Sequence, residues 1–160
     1  MTMAQDISIS ELVESPAVDA RACHSIALDF NGVIVEARTD SAELARALGR
    51  YFDAFMAGAG EPDIVVHALE GPPPEVGLAL VEKPPDPGKD KIKEEYADLA
   101  DGRLVRKRLT GMVFIFGGDR HYALGPCLEN SNQVVNFVNN RFIAHMLDRG
   151  CLLGHASAVC

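Results

Sequence analysis

The sequence predicts an α+β fold with a mainly antiparallel sheet built from hairpins and two principal helices. Three turn signals carry that prediction: Asn31-Gly32, Asp101-Gly102 and Gly118-Asp119 each sit between short segments rich in alternating or continuous apolar residues. Two further segments repeat their apolar residues at helical spacing. So many hairpins do not fit a doubly wound parallel sheet. The pattern does not give the strand order.

In chain order, residues 1–22 lack a sustained period and Glu14-Ser15-Pro16 interrupts them, so they are expected to form a loosely ordered arm before one α+β domain over 23–160. Ile26, Leu28 and Phe30, then Val33, Val35 and Ala37, flank Asn31-Gly32. A two-residue turn there places Phe30 opposite Val33, Leu28 opposite Val35 and Ile26 opposite Ala37, giving a ribbon with one apolar side. Asp40 and Glu43 form a capping-box pattern ahead of Leu44, Leu48, Phe52 and Phe55, which predicts a helix over 41–57 ending at Gly58. Asp63–Leu69 reads as a strand closed by Gly71-Pro72-Pro73-Pro74, and an irregular surface loop follows as far as Gly88.

Asp101-Gly102 is expected to turn Tyr96–Leu99 back onto Leu104–Lys107, with Glu95 opposite Arg108. Gly118-Asp119 turns Val113–Phe116 onto His121–Leu124, a pair apolar on both faces and therefore suited to the sheet centre. Asn130 and Gln133 form a second capping-box pattern, and a helix is predicted from there to Gly150 with Val134, Val135, Val138, Phe142 and Met146 on its buried side. Leu152–Val159 reads as a last strand.

At 160 residues the chain is long enough to bury roughly 70% of its unfolded surface, and its 48% apolar and 24% charged content is that of a globular protein. A net charge of -8 argues against duplex nucleic acid and anionic membrane as partners. No apolar run is long enough to span a bilayer, and residues 1–10 lack a secretory pattern, so a cytoplasmic location is expected. Cys23, Cys127, Cys151 and Cys160 contain no CxxC pair and are expected to be reduced. Cys151 and His155 stand four apart without further ligands at readable spacing, so no metal site is expected.

Chemistry-bearing motifs are sparse. Gly88-Lys89 is the one Gly-Lys pair, but Asp90 stands where a P-loop needs a hydroxyl and Lys83 where it needs its first glycine. No catalytic residue and no nucleotide cofactor are therefore assigned to this chain. No serine lies in a GxSxG elbow. His24, His67, His121 and His145 fall in strand or helix patterns and are expected to be satisfied and partly buried. His155 lies among small neighbours that would let a partner approach.

Residues 82–109 hold eight of the fifteen basic residues and seven acidic ones, a net of +1, against -9 for the rest. Lys89, Lys91, Arg106 and Arg108 are the candidate contacts for an acidic or phosphorylated protein partner; a solvated ribbon with weak ion pairs is the plainer reading. Asn132, Asn136, Asn139 and Asn140 fall within one arc of about 100° on the second helix, beside its apolar side. Asparagine is a poor helix former, so these four either satisfy backbone groups near Pro126 and Cys127 or, with His155, line a polar recognition groove.

Several strings together resemble one family. They are Lys83-Pro84-Pro85-Asp86-Pro87-Gly88-Lys89, Ile92-Lys93-Glu94-Glu95-Tyr96, Asp101-Gly102-Arg103, Arg106 to Met112, and Gly125-Pro126-Cys127-Leu128-Glu129-Asn130. They look like the N-terminal region of bacterial HPr kinase-related proteins, the group called HprK-related kinase B, over roughly residues 60–159. Gly154-His155-Ala156-Ser157-Ala158-Val159 resembles the strand that leads into the P-loop of such proteins. The resemblance implies an ATP- and Mg-dependent serine kinase or phosphorylase-like protein whose Walker residues follow that strand. This chain stops at Cys160, so none of those residues has a counterpart, and a native gene that continues into a kinase core is expected. What the resemblance leaves is a non-catalytic recognition or regulatory domain that docks a protein substrate or organises a homo-oligomer. A free-standing adaptor, and a small-ligand or hydrolytic domain using His155 and the Asn stripe, are the alternatives.

Overall fold

A computed structural model describes residues 6–58, 60–85 and 87–154. The fold is α+β, as the hairpin count implies. Its strands are β1 (His24–Phe30), β2 (Val33–Thr39), β3 (Ile64–Glu70), β4 (Val81–Glu82), β5 (Glu94–Leu99), β6 (Gly102–Lys107), β7 (Val113–Gly117) and β8 (Arg120–Gly125). They form one eight-stranded sheet in the order β1-β2-β3-β8-β7-β6-β5-β4. β2–β3 and β3–β8 are parallel and the other neighbours antiparallel. After β3 the chain runs to the far edge through the proline-rich loop, and the β5–β8 meander returns strand by strand until β8 lies beside β3.

The first hairpin has the predicted register, with Phe30 opposite Val33, Leu28 opposite Val35 and Ile26 opposite Ala37. Asn31 and Gly32 take φ of 56° and 91°, the left-handed values a two-residue type I′ turn requires. The hairpin at Gly118-Asp119 also pairs as predicted, Phe116 with His121 and Ile115 with Tyr122, and β7 and β8 are central strands. The hairpin between β5 and β6 does not. Its turn residues are Ala100 and Asp101, so Leu99 pairs with Gly102 and Glu95 faces Arg106 rather than Arg108. The shift is two residues, which keeps every side chain on its predicted face.

Helix α3 spans Ala42–Tyr51 and a 3-10 turn follows at Asp53–Phe55, so the predicted single helix over 41–57 is shorter and broken. Its cap is Ser41, whose hydroxyl accepts the Leu44 N–H; Asp40 instead accepts the Glu70 N–H at 2.8 Å and pairs with Arg21 at 2.5 Å. Helix α4 runs over Ser131–Asp148. The Asn130 side chain does not cap it and instead donates to the Pro126 carbonyl at 2.9 Å. Beyond α4, residues 151–154 are irregular and Leu152 is 98% exposed, so the predicted last strand does not begin at Leu152; residues 155–160, with His155, lie outside the described residues.

Residues 9–21, expected to be a loose arm, form α1 (Ile9–Leu12) and α2 (Ser15–Arg21). Neither is long enough to persist alone, so burial holds them. Ile9, Val13 and Val18 pack with Leu69, Leu104, Val113, Ile115 and Tyr122 in a core on one sheet face. The Ile9 N–H donates to Asp101 in the β5–β6 turn at 2.7 Å, and His67 Nε2 bonds Asp19 of α2 at 2.9 Å while stacking on Tyr122. The other face carries the second core, where α3 and α4 bury Leu44, Leu48, Val134 and Val138 against Leu28, Val35, Val66 and Phe114. Covering both faces explains why β3, β7 and β8 read as continuous apolar runs.

Candidate functional site

Helix α4 packs over β2, β3 and β8, and beside it, toward β5 and β6, the same sheet face opens into a groove. Val105, Phe114 and Phe116 are successive members of one apolar strip on β6 and β7, because alternate residues of a strand share a face. Phe137, Asn136, Asn140 and Arg141 come from α4, where a spacing of three to four residues puts them on one side. Glu94 and Lys107, a cross-strand pair, form the opposite rim. The groove encloses about 200 Å³.

Its two rims differ in chemistry. Lys83 lies 3.0 Å from Glu94, and Lys107 also donates to this carboxylate. Burial would raise the Glu94 pKa, but the hydrogen bonds and charges of Lys107 and Lys83 outweigh it and hold the carboxyl below its usual range. On the helix side, the Arg141 guanidinium lies 4.0 Å from the Phe116 ring centre and 5.4 Å from that of Phe137, a cation–π arrangement at the end of the apolar strip.

The predicted amide stripe divides. Asn136 and Asn140 line the groove, both exposed, whereas Asn132 and Asn139 do not line it. None of the four side chains hydrogen-bonds the Pro126–Cys127 loop among the described residues; Asn130, outside the stripe, does that. Gln133, read from the sequence as part of a capping box with Asn130, links α4 to Thr110 in the β6–β7 turn at 3.4 Å.

The basic candidates lie elsewhere. Arg106 and Arg108 project from the opposite face of the sheet, by strand alternation with Val105 and Lys107. Arg106 donates to Glu95 at 2.9 and 2.5 Å, while Arg108 pairs with Glu82 at 2.7 Å and approaches Glu95 at 3.6 Å. Glu95 is only 8% exposed, so this is a partly buried charge cluster rather than a free basic ribbon. Lys89 and Lys91 are exposed in the irregular segment before β5. The arginines and the groove-facing asparagines therefore belong to two surfaces separated by the sheet.

The sequence reading missed the groove floor and Arg141; the alternation of Phe114 and Phe116, and the place of Arg141 next on the Gln133–Phe137–Asn140 side of α4, are the signals that could have found them. What joins them is the strand order, which local pattern does not encode. Among the described residues no group of His, Cys, Asp and Glu side chains is arranged to hold a metal ion, and no helix is long and apolar enough to cross a membrane. Comparison with protein-family models, curated proteins and solved structures finds no match to this chain.

Proposed function

We propose that this chain is a non-catalytic recognition domain of an HPr kinase-related protein, and that it holds a segment of a partner protein in the groove between α4 and β5–β7. The observation that carries this reading is the pairing of an apolar strip, Val105–Phe114–Phe116, with two exposed amides that have no hydrogen bond among the described residues, Asn136 and Asn140. An extended or helical segment laid on that strip buries apolar surface, and the amides can donate to and accept from its backbone or its polar side chains. The kinase relationship is supported by the sequence strings between residues 83 and 130. In this reading nucleotide chemistry lies outside the chain, and calorimetric titration with Mg-ATP is expected to give no saturable heat.

The groove reading is preferred to docking through Arg106 and Arg108, because their guanidinium groups already pair with Glu95 and Glu82. Random-peptide phage display on the intact chain tests it. Peptides enriched on the wild type are expected to bind N136A/N140A about tenfold more weakly, the loss of two modest hydrogen bonds, and to be excluded by Val105→Glu. Enriched peptides that ignore both variants, or that depend on Arg106 instead, would overturn it.

A further inference from the structure

Beyond Arg141, on the far side from the groove, the C-terminal half of α4, the start of β3 and the β7–β8 turn line a second cavity of about 500 Å³. Its wall contains His121, Arg141 and His145. His121 Nδ1, Arg141 Nε and His145 Nε2 are each closed to solvent without a hydrogen-bond partner, and no other buried side-chain nitrogen or oxygen among the described residues is left so. An unmet buried polar group costs about 1–3 kcal/mol, so three in one cavity wall call for a common cause.

The charges around the cavity narrow what could meet them. Among the described residues Arg141 is the one permanent cation in its lining, and it supplies donors only. Asp63, Asp119 and Asp148 also line the cavity. Asp63 is engaged, accepting the Ile34 N–H at 2.9 Å and pairing with Arg149 at 3.6 Å. Asp119 and Asp148 lie toward the turn and the end of α4. A dianion would meet one fixed cation against these carboxylates, and a simple cation would leave the Arg141 N–H unmet. A molecule with one carboxylate and one ammonium answers both ends.

We propose that this cavity binds a free amino acid or a closely similar zwitterion. Its carboxylate is held by Arg141 and the imidazoles of His121 and His145, and its ammonium faces Asp119 and Asp148. Because the three nitrogens are closed to solvent, binding requires the imidazole and guanidinium groups to turn toward the ligand. The cavity volume leaves room for a side chain as well.

The test is titration of the intact chain with each of the common L-amino acids, read by the imidazole resonances of His121 and His145. At least one is expected to shift both resonances saturably, and its deaminated and decarboxylated analogues are each expected to bind at least about tenfold more weakly. His145→Gln, which does not touch the groove, is expected to weaken binding about tenfold while melting stays near wild type; Arg141→Lys serves if His145→Gln fails to fold. N136A/N140A is expected to leave amino-acid binding unchanged, so failure of the groove reading and failure of this one remain distinguishable. No shift with any amino acid, or an analogue lacking one charged group that binds equally well, overturns the proposal.

Discussion

Arg106 and Glu95 face each other across the β5–β6 ladder, with the arginine's Nε and Nη2 both donating to one carboxylate oxygen at 2.9 and 2.5 Å. Because Glu95 is buried and Arg106 only partly so, the pair resists solvent screening better than an exposed ribbon pair. Replacing Arg106 and Arg108 together by glutamine is expected to destabilise the fold by about 2 kcal/mol, reduced from a fully buried pair by the exposure of the arginines. Adding Glu95→Gln should recover part of that loss in a denaturant-unfolding series. An unchanged midpoint in the double variant would show that the cluster contributes nothing to folding.

Acid stability should report on His121. Burial, reinforced by the nearby Arg141 cation, pushes its imidazole down to about 4. Its folded pKa lies below the ordinary value near 6.5, so the unfolded chain takes up the proton first as pH falls. The contribution is complete above pH 6.5 and is lost progressively toward pH 4, amounting to about 3 kcal/mol. Urea unfolding of wild type and His121→Phe at several pH values is expected to show a shallower slope for the variant between those limits.

Two glycines pack backbone to backbone at the end of the β6–β7 pair. A Cβ on Gly102 would lie 2.3 Å from the Phe116 carbonyl oxygen and 2.8 Å from Ile9, and one on Gly117 would lie 2.0 Å from the Asp101 carbonyl oxygen. Gly102→Ala and Gly117→Ala are each expected to cost about 3 kcal/mol, since backbone rather than a flexible side chain must move. Gly118→Ala, with open space but φ of 55°, should cost only about 1 kcal/mol. Thermal melts of the three variants rank them, and an equal loss in all three would contradict the packing account.

The thiols should separate by reactivity. Cys127 is fully buried, donates to the Leu69 carbonyl at 3.3 Å, and has its pKa pushed up to about 12 by burial, with the carboxylates of Glu70 and Asp40 adding to it. Cys23 and Cys151 are exposed. Brief alkylation of native protein followed by peptide mapping is expected to label Cys23 and Cys151 and to spare Cys127 until the chain is unfolded. Early labelling of Cys127 would mean that this part of the core opens readily.

Much of the local structure was legible because it depends on residues close in sequence. Asn31-Gly32 and Gly118 take the positive φ that their turns need, so two hairpin registers follow from the turn residues alone. The buried side of α4 follows likewise from the spacing of Val134, Val135 and Val138. Half of the amide stripe faces the groove, and its other half and the arginine pair lie outside it. His67 is satisfied, by Asp19, as was expected of the strand and helix histidines, whereas His121 and His145, expected to be satisfied too, each keep an unmet nitrogen, because partners for them depend on how α4 meets β3 and the β7–β8 turn.

By itself, then, the sequence determined the hairpins, the alternation of faces and the two main helices, because φ/ψ preference and apolar spacing act over a few residues. Tertiary structure decided the rest. Gly102 suggested a turn residue, yet φ is not positive there and its missing side chain serves the close approach of Gly117 and Ile9, which moves the β5–β6 register by two residues. The parallel placement of β3 between β2 and β8 brings segments distant in the chain together, and the apolar cores on both faces reward that loop closure. That placement also brings Asn136 and Phe116 into one groove while leaving Arg106 on the other side of the sheet, a separation no local pattern encodes.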